Sequence, residues 1–307
     1  MERIINALPF DLEVKRALEA LPAFCVLLYR AQGKKTAAHD HTRSTMGLAI
    51  LSPDLKVIAR HSEPVIAPEF EFENLGVEDG RLSKVGDRYV LLYTAYGYAK
   101  PENTIRIALA STRDFVRWEK HGLLKGDLNG VHNKNAMLFE GKTGGKYLML
   151  HRPMQGSYAM AVHWAEADDV FGEWKGRGAI LKPLQRAGFV DTWVGGGAPP
   201  LLTSGGRHLM LYHLGNRRAD GSREYDLGIA LLDCTRPDPV VRRHEPLLQP
   251  STEHETLGDP ELGVNNVVFV CGAYFWNGDL WFPYAGADSV VLGGKIEGSE
   301  VGRFIAG

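Results

Sequence analysis

One strand pattern recurs five times in this chain, and that recurrence limits the available folds more than any other feature. An apolar run that ends in an aromatic residue or His, followed by a small or basic residue, occupies positions 25–30, 89–94, 147–152, 208–213 and 280–285. The fifth residue of each run is Tyr29, Tyr93, His151, Tyr212 or Tyr284, giving spacings of 64, 58, 61 and 72 residues. Near-constant spacing along a whole chain is the mark of a repeat architecture. Four of the runs follow a Gly-containing turn and an earlier apolar segment: 81–85 before Gly86-Asp87, 136–139 before Gly144-Gly145, 200–203 before Gly205-Gly206, and 267–270 before Asn277-Gly278. Apolar strand, glycine turn and apolar strand make a β-hairpin.

A third strand follows each hairpin, at 46–51, 105–110, 159–165, 227–232 and 290–294. Asp54, Asp114 and Asp169 mark the turns after the first three, and Trp118 and Trp174 open outer strands in repeats two and three. Three to four antiparallel strands every sixty or so residues describe a propeller blade. The expected fold is therefore an all-β, five-bladed β-propeller forming a single domain over 1–307. Its blades fall near 22–75, 76–130, 131–190, 191–262 and 263–300, and strands from both chain ends close the ring. Phe10, Leu12, Val14, Leu18 and Leu21 predict a short amphipathic N-terminal helix over 8–21.

Net charge is −2, from 35 Lys+Arg against 37 Asp+Glu, which argues against a nucleic-acid-binding surface. No apolar run reaches the length of a membrane span, and the Met1-Glu2-Arg3 start lacks a signal-peptide core, so a cytoplasmic protein is expected. Cys25, Cys234 and Cys271 form no even disulfide framework and are expected to be free thiols. No metal site or organic cofactor is expected, and self-association is left open.

In a propeller, residues just ahead of each innermost strand face the central funnel. Here they are Gly76-Val77-Glu78-Asp79-Gly80-Arg81, His132-Asn133-Lys134-Asn135, Gly195-Gly196-Gly197-Ala198-Pro199-Pro200 and Gly263-Val264-Asn265-Asn266. The returning strands bring Arg30, Tyr96, Arg152, His213 and Asp288 to the same face. Carboxylates, bases, amides and rings together suit a polyhydroxylated ligand such as an oligosaccharide or other glycoside.

These segments resemble glycoside hydrolase family 130. Gly76-Val77-Glu78-Asp79-Gly80-Arg81 is similar to the family's Gly-Val-Glu-Asp-Pro-Arg, and Tyr93-Thr94-Ala95-Tyr96 to its Tyr-Thr-Ala-Tyr-Asp. Asn133-Lys134-Asn135-Ala136, His151-Arg152-Pro153, the Gly195–Pro200 string, Leu211-Tyr212-His213 and Tyr284-Ala285-Gly286-Ala287-Asp288 match in order. The resemblance spans about residues 23–295. It implies a five-bladed propeller that cleaves β-mannosides with inversion. Asp79, Arg81 and Asp288 stand at positions that resemble the family's sugar contacts, and Arg152 and His213 at its phosphate or anion contacts; Arg30, Ser44, Glu78, Tyr96, Asn133, Lys134 and Asn135 are further candidate substrate contacts.

Three departures stand out. The resemblance places the general acid where this chain has Gly97; Asn135 stands where the motif has Asp; and Trp193-Val194 replaces a phosphate-contacting Lys. Inverting cleavage needs an acid for the leaving oxygen and either a base-activated water or a bound phosphate. The candidate carboxylates are Glu78, Asp79, Glu102, Asp191, Glu255, Glu261 and Asp288, with Asp79, Glu102, Glu255 and Glu261 the catalytic candidates. Loss of the Lys ranks hydrolysis first. Phosphorolysis with inorganic phosphate as co-substrate is the alternative, and non-catalytic sugar binding is a third reading suggested by Gly97.

Overall fold

The structure is a computed structural model, described over residues 1–33, 42–99, 102–155 and 160–307. It is all-β apart from short helices. Contacts group the chain into two compact units, Met1–Leu124 and Lys125–Gly307.

In the first unit, the strands Cys25–Gln32, Ser44–Leu51 and Val57–Arg60 form one antiparallel group. Gly76–Val85, Arg88–Ala99, Glu102–Thr112 and Trp118–Leu123 form a second. One parallel pair, Ser44 with Gly76, joins them into a seven-stranded sheet. The predicted single helix is instead two, Glu2–Ala7 and Leu12–Glu19. Leu8 precedes Pro9, which drives it to extended backbone (φ −57°, ψ 140°) and ends the first helix. The Asp11 carboxylate caps the second by accepting the Val14 N–H at 2.9 Å. Ile5, Leu8 and Leu18 are buried with Leu48, Ile50 and Phe115, so these helices are held by their apolar face.

The second unit holds three further strand groups. Asn133–Thr143, Lys146–Pro153, Val162–Ala167 and Glu173–Leu181 make the first, edged by Lys125–Gly126. Asp191–Gly196, His208–Arg217, Arg223–Leu232 and Val240–Leu248 make the second, with Leu201–Leu202 alongside. Val268–Val270, Tyr274–Trp276, Asp279–Gly286 and Val290–Ile296 make the third. Residue 159, the predicted start of one strand, lies outside the described residues. Met137, Leu148 and Leu150 pack against Val194, Met210 and Ala230, while Leu209, Leu211 and Ile229 pack against Val268, Leu280 and Phe282. Within this unit the first group thus packs on the second and the second on the third.

The turns follow the predicted chemistry. Gly144-Gly145 (φ 59° and 83°) and Asn277-Gly278 (φ 50° and 88°) have the paired positive φ of type I′ hairpins. Trp118 and Trp174 open their outer strands, and each indole N–H donates to a nearby carbonyl, Phe115 at 3.2 Å and Val170 at 3.1 Å.

Two elements differ from expectation. Gly195 and Gly196 do not precede the first strand of the fourth group but are part of it, paired with His213 and Tyr212. A Cβ at Gly196 would meet Met137 Cε at 2.3 Å, and one at Gly197 the Leu211 carbonyl oxygen at 2.6 Å. These glycines permit close packing. The chain also ends in a helix, Gly298–Ala306, rather than in a blade-closing strand; Val301, Phe304 and Ile305 pack into the adjoining core.

Candidate active site

In the first unit the site residues sit on a strand irregularity. Glu78 pairs with Thr94 and Arg81 with Leu92, so the inner strand carries one extra residue in a bulge, and Asp79 takes φ +50°. A non-glycine residue at positive φ is strained, and bulges re-aim side chains. Arg81 is buried, with its guanidinium donating to the Asp79 carbonyl. It therefore supports the backbone that presents Asp79. Beside it, the Ser44 hydroxyl donates to Glu78 Oε1 at 2.8 Å, and Arg30 Nη1 lies 3.9 Å from Glu78 Oε2. Burial and then the Glu78 charge push the Tyr96 phenol upward, so it stays neutral; its oxygen accepts from Asn103 Nδ2 at 2.9 Å.

Gly97 offers no room for an acid. A Cβ there would lie 2.3 Å from the Phe72 carbonyl oxygen and 3.0 Å from Thr104 Oγ1. Glu102, suggested as its replacement, is exposed at the end of the same hairpin, in a strand opposite Ala99 rather than in a folded-back loop.

The second unit repeats the bulge. Lys134 pairs with Arg152 and Met137 with Leu150, again leaving one extra residue, and Asn135 takes φ +56°. Asn135 is thus the counterpart of Asp79 within its own repeat. Its side chain is 1% exposed, and neither amide atom has a hydrogen-bond partner among the described residues. A Cβ at Gly195 would meet Arg152 Nη1 at 2.9 Å and Asn135 Oδ1 at 3.0 Å, so the bare glycine lets both groups approach this backbone. His213 is the cross-strand partner of Gly195 and shares its face. Its ring stacks on Phe269 at 3.6 Å, and the Val270 N–H donates to Nε2 at 3.0 Å.

Tyr225 ties in the remaining members. Its phenol is pushed up chiefly by burial, while neighbouring charges act in both directions: Arg152 and Arg223 lower it and Asp288 raises it. Asp288 and Ala287 (φ 53° and 45°) form a tight turn in which the Ser289 N–H donates to the Gly286 carbonyl at 3.0 Å. Trp193, standing where the resemblance expects Lys, is buried edge-on to Tyr225 at 5.6 Å. Asn135, Arg152, His213 and Asp288 therefore gather in this unit. Tyr225 and Arg223 were missed because the predicted strand begins only at Leu227; extending its alternation backward two residues reaches Tyr225.

The other candidates have structural partners or open positions. Asn133 is buried, donating to the Leu128 carbonyl at 2.9 Å and lying 3.0 Å from His151 Nδ1. Asp191 is held by both Nε and Nη2 of Arg217. Glu255, one of the catalytic candidates, is held in a cap. Burial raises its pKa, but the backbone N–H groups of Thr252 and Ser251 and the Tyr284 hydroxyl outweigh that and hold it at about 2. It caps the helix Glu253–Thr256 and has no proton to give at neutral pH. Glu261 is exposed on a turn held by Asp259, whose carboxylate accepts its N–H at 2.9 Å. The three cysteines are free, and among the described residues no helix is long and apolar enough to cross a membrane.

The glycoside hydrolase family 130 model, described as beta-1,4-mannooligosaccharide phosphorylase, matches residues 12–305. The chain belongs to glycoside hydrolase family 130. A relative in that family, the 1,2-beta-oligomannan phosphorylase of Thermoanaerobacter sp. (strain X514), is 33% identical over 271 residues, covering 86% of this chain and 83% of the relative. The beta-1,2-mannobiose phosphorylase of the same organism is 31% identical, covering 91% and 87%. Among solved structures, Listeria innocua beta-1,2-mannobiose phosphorylase in complex with beta-1,2-mannobiose superimposes with a TM-score of 0.72 at 27% identity, covering 87% of this chain and 70% of that one. A family 130 chain is a carbohydrate-active enzyme.

Proposed function

We propose that this chain is a β-mannoside phosphorylase that transfers a mannosyl unit to inorganic phosphate, with β-1,2-linked mannosides as substrates. The observation that carries the reading is the buried Arg152 guanidinium beside the neutral Asn135 amide and the bare Gly195 backbone. A planar guanidinium fork matches phosphate oxygens bidentately, and the neutral Asn135 amide adds donor and acceptor atoms beside it. In this reading phosphate attacks the anomeric carbon, the bond to the leaving oxygen breaks with inversion, and Asp79 delivers the proton, directly or through a sugar hydroxyl. Glu78, Tyr96 and Asp288 serve as sugar contacts, and His213 as an anion contact. The five strand groups are, on the same proposal, the blades of one five-bladed propeller.

The sequence alone ranks hydrolysis first. The relatives named as phosphorylases move the reading to phosphorolysis. Hydrolysis keeps one specific support, the buried Trp193 at the expected Lys position. The deciding assay incubates β-1,2- and β-1,4-linked mannobiose with and without phosphate. Mannose 1-phosphate formed only when phosphate is present is the expected result. Free mannose released equally in both arms would establish hydrolysis, and no product from any dimannoside would overturn catalysis on this class.

A further inference from the structure

A second groove lies in the Lys125–Gly307 unit, away from the cluster just described. It encloses about 410 Å³, within the roughly 300–1,000 Å³ usual for small-molecule sites. Its floor is Leu148 and Trp164, and its walls include Lys146, Glu166, Arg177 and Thr235. Thr143, Gly144 and Lys146 lie at the turn end of the hairpin formed by Asn133–Thr143 and Lys146–Pro153, and Trp164 stands opposite Leu150 on the adjoining strand, whereas Asn135 and Arg152 lie at the hairpin's other end. Eight residues of extended strand separate Asn135 from Thr143, roughly 25 Å. The turn-end wall of the groove is therefore far from the candidate active site, and none of the groove's lining residues belongs to that site.

Trp164 is partly buried, packing against the core while also lining the groove. Its cross-strand neighbour on one side is Leu150, which belongs to the core; on the other side it is Gly178, at φ +97° with open space where a Cβ would stand. The wall charges are already matched: Arg177 pairs with Glu166, and Lys146 Nζ lies 2.6 Å from Asp168 Oδ1. A charged ligand would have to break these pairs. A neutral ligand carrying many hydroxyls can accept from the cations and donate to the carboxylates while leaving the pairs in place. An apolar ring face flanked by bidentate polar groups is the arrangement that holds a pyranose, whose C–H face stacks and whose hydroxyls point sideways.

We infer that the Trp164 groove is a non-catalytic binding site for a neutral oligosaccharide, holding a pyranoside on the indole with its hydroxyls on the Glu166–Arg177 pair. That the pyranoside is a mannoside rests on the function proposed above; the groove itself asks only for a neutral pyranoside. The site would anchor a long chain while its end is processed elsewhere, so its loss should affect long substrates more than short ones.

The test is titration calorimetry with β-mannotetraose and, in parallel, β-glucan and β-galactan tetrasaccharides on the full chain. The variants are Trp164→Ala and Arg177→Ala. Trp164 also packs against the core, whereas Arg177 is exposed and can be truncated without disturbing it. Two binding events are expected in the wild type. The weaker should lose affinity about 10-fold or more in either variant, with kcat on a disaccharide unchanged. Binding to the groove by any tetrasaccharide supports the inference even if no mannoside is turned over, an outcome in which the proposed function fails alone. A wild type with a single event, or Arg177→Ala with two unchanged events, overturns it.

Discussion

Replacing Gly97 tests whether this position could ever have held the family's acid. Gly97 lies inside the strand Arg88–Ala99, opposite Thr104, with the Phe72 carbonyl pressed against the place a side chain would occupy. A Cβ 2.3 Å from that oxygen and 2.6 Å from its carbon cannot be relieved by rotating a side chain, because both atoms are backbone. Phe72 is itself held in the turn Glu71–Glu73, where the buried Glu73 carboxylate pairs with Lys120 and accepts from Tyr93. Overpacking of this kind costs about 1–3 kcal/mol. Ala recovers roughly 0.5–1 kcal/mol of backbone entropy relative to Gly in a strand. Since the obstructing wall is anchored, Gly97→Ala should cost about 2 kcal/mol net, lowering Tm by about 3 °C. Gly97→Asp should cost at least as much and should not raise turnover. Thermal unfolding of both variants, with phosphorolysis assayed at a temperature where each is folded, gives the answer. A Gly97→Ala protein with wild-type Tm would refute the steric argument, and a large gain in turnover by Gly97→Asp would refute the claim that the position cannot serve as the acid.

Further outcomes follow from the same structure. Arg152→Lys should raise the KM for phosphate about 10–100-fold, since the fork is lost while the charge remains; initial-rate kinetics at varied phosphate will read it. Asn135→Asp places a carboxylate beside Arg152 and should weaken phosphate at least as strongly, with far less effect on the KM for mannoside. Glu255, held at about 2, contributes stability that is complete above its unfolded pKa of about 4.3 and is lost as pH falls toward 2. Glu255→Gln should lower Tm at neutral pH and flatten that acid limb while leaving kcat intact. Asp226 is the opposite case. Burial pushes its carboxyl up to about 6 despite the Arg186 pair, so the folded state keeps the proton where the unfolded chain has released it, and its contribution falls as pH rises through that window. The Tm of Asp226→Asn relative to wild type should therefore climb between about pH 4 and pH 7.

Alternating apolar residues and Gly-bearing turns were enough, without any coordinates, to mark five strand groups, since period-two patterning and turn φ values are properties of short segments. The ordered motifs from Gly76 to Asp288 likewise carried the family and most members of the candidate site. What they could not carry was register. The bulges that lift Asp79 and Asn135 into positive φ exist only because neighbouring strands pair with one residue out of step. Gly195 to Gly197 read as residues ahead of a strand; here glycine is needed because Arg152, Met137 and the Leu211 backbone come too close for a Cβ. Glu255 had the right residue type for catalysis, and only its backbone and Tyr284 donors reveal a helix cap. The nine-residue helix Gly298–Ala306 is too short to be stable alone and contains Gly298 and Gly302; docking of Val301, Phe304 and Ile305 onto the last strand group makes it a helix. Local pattern determined which segments are strands, and the packing of distant segments decided which polar groups are left for chemistry.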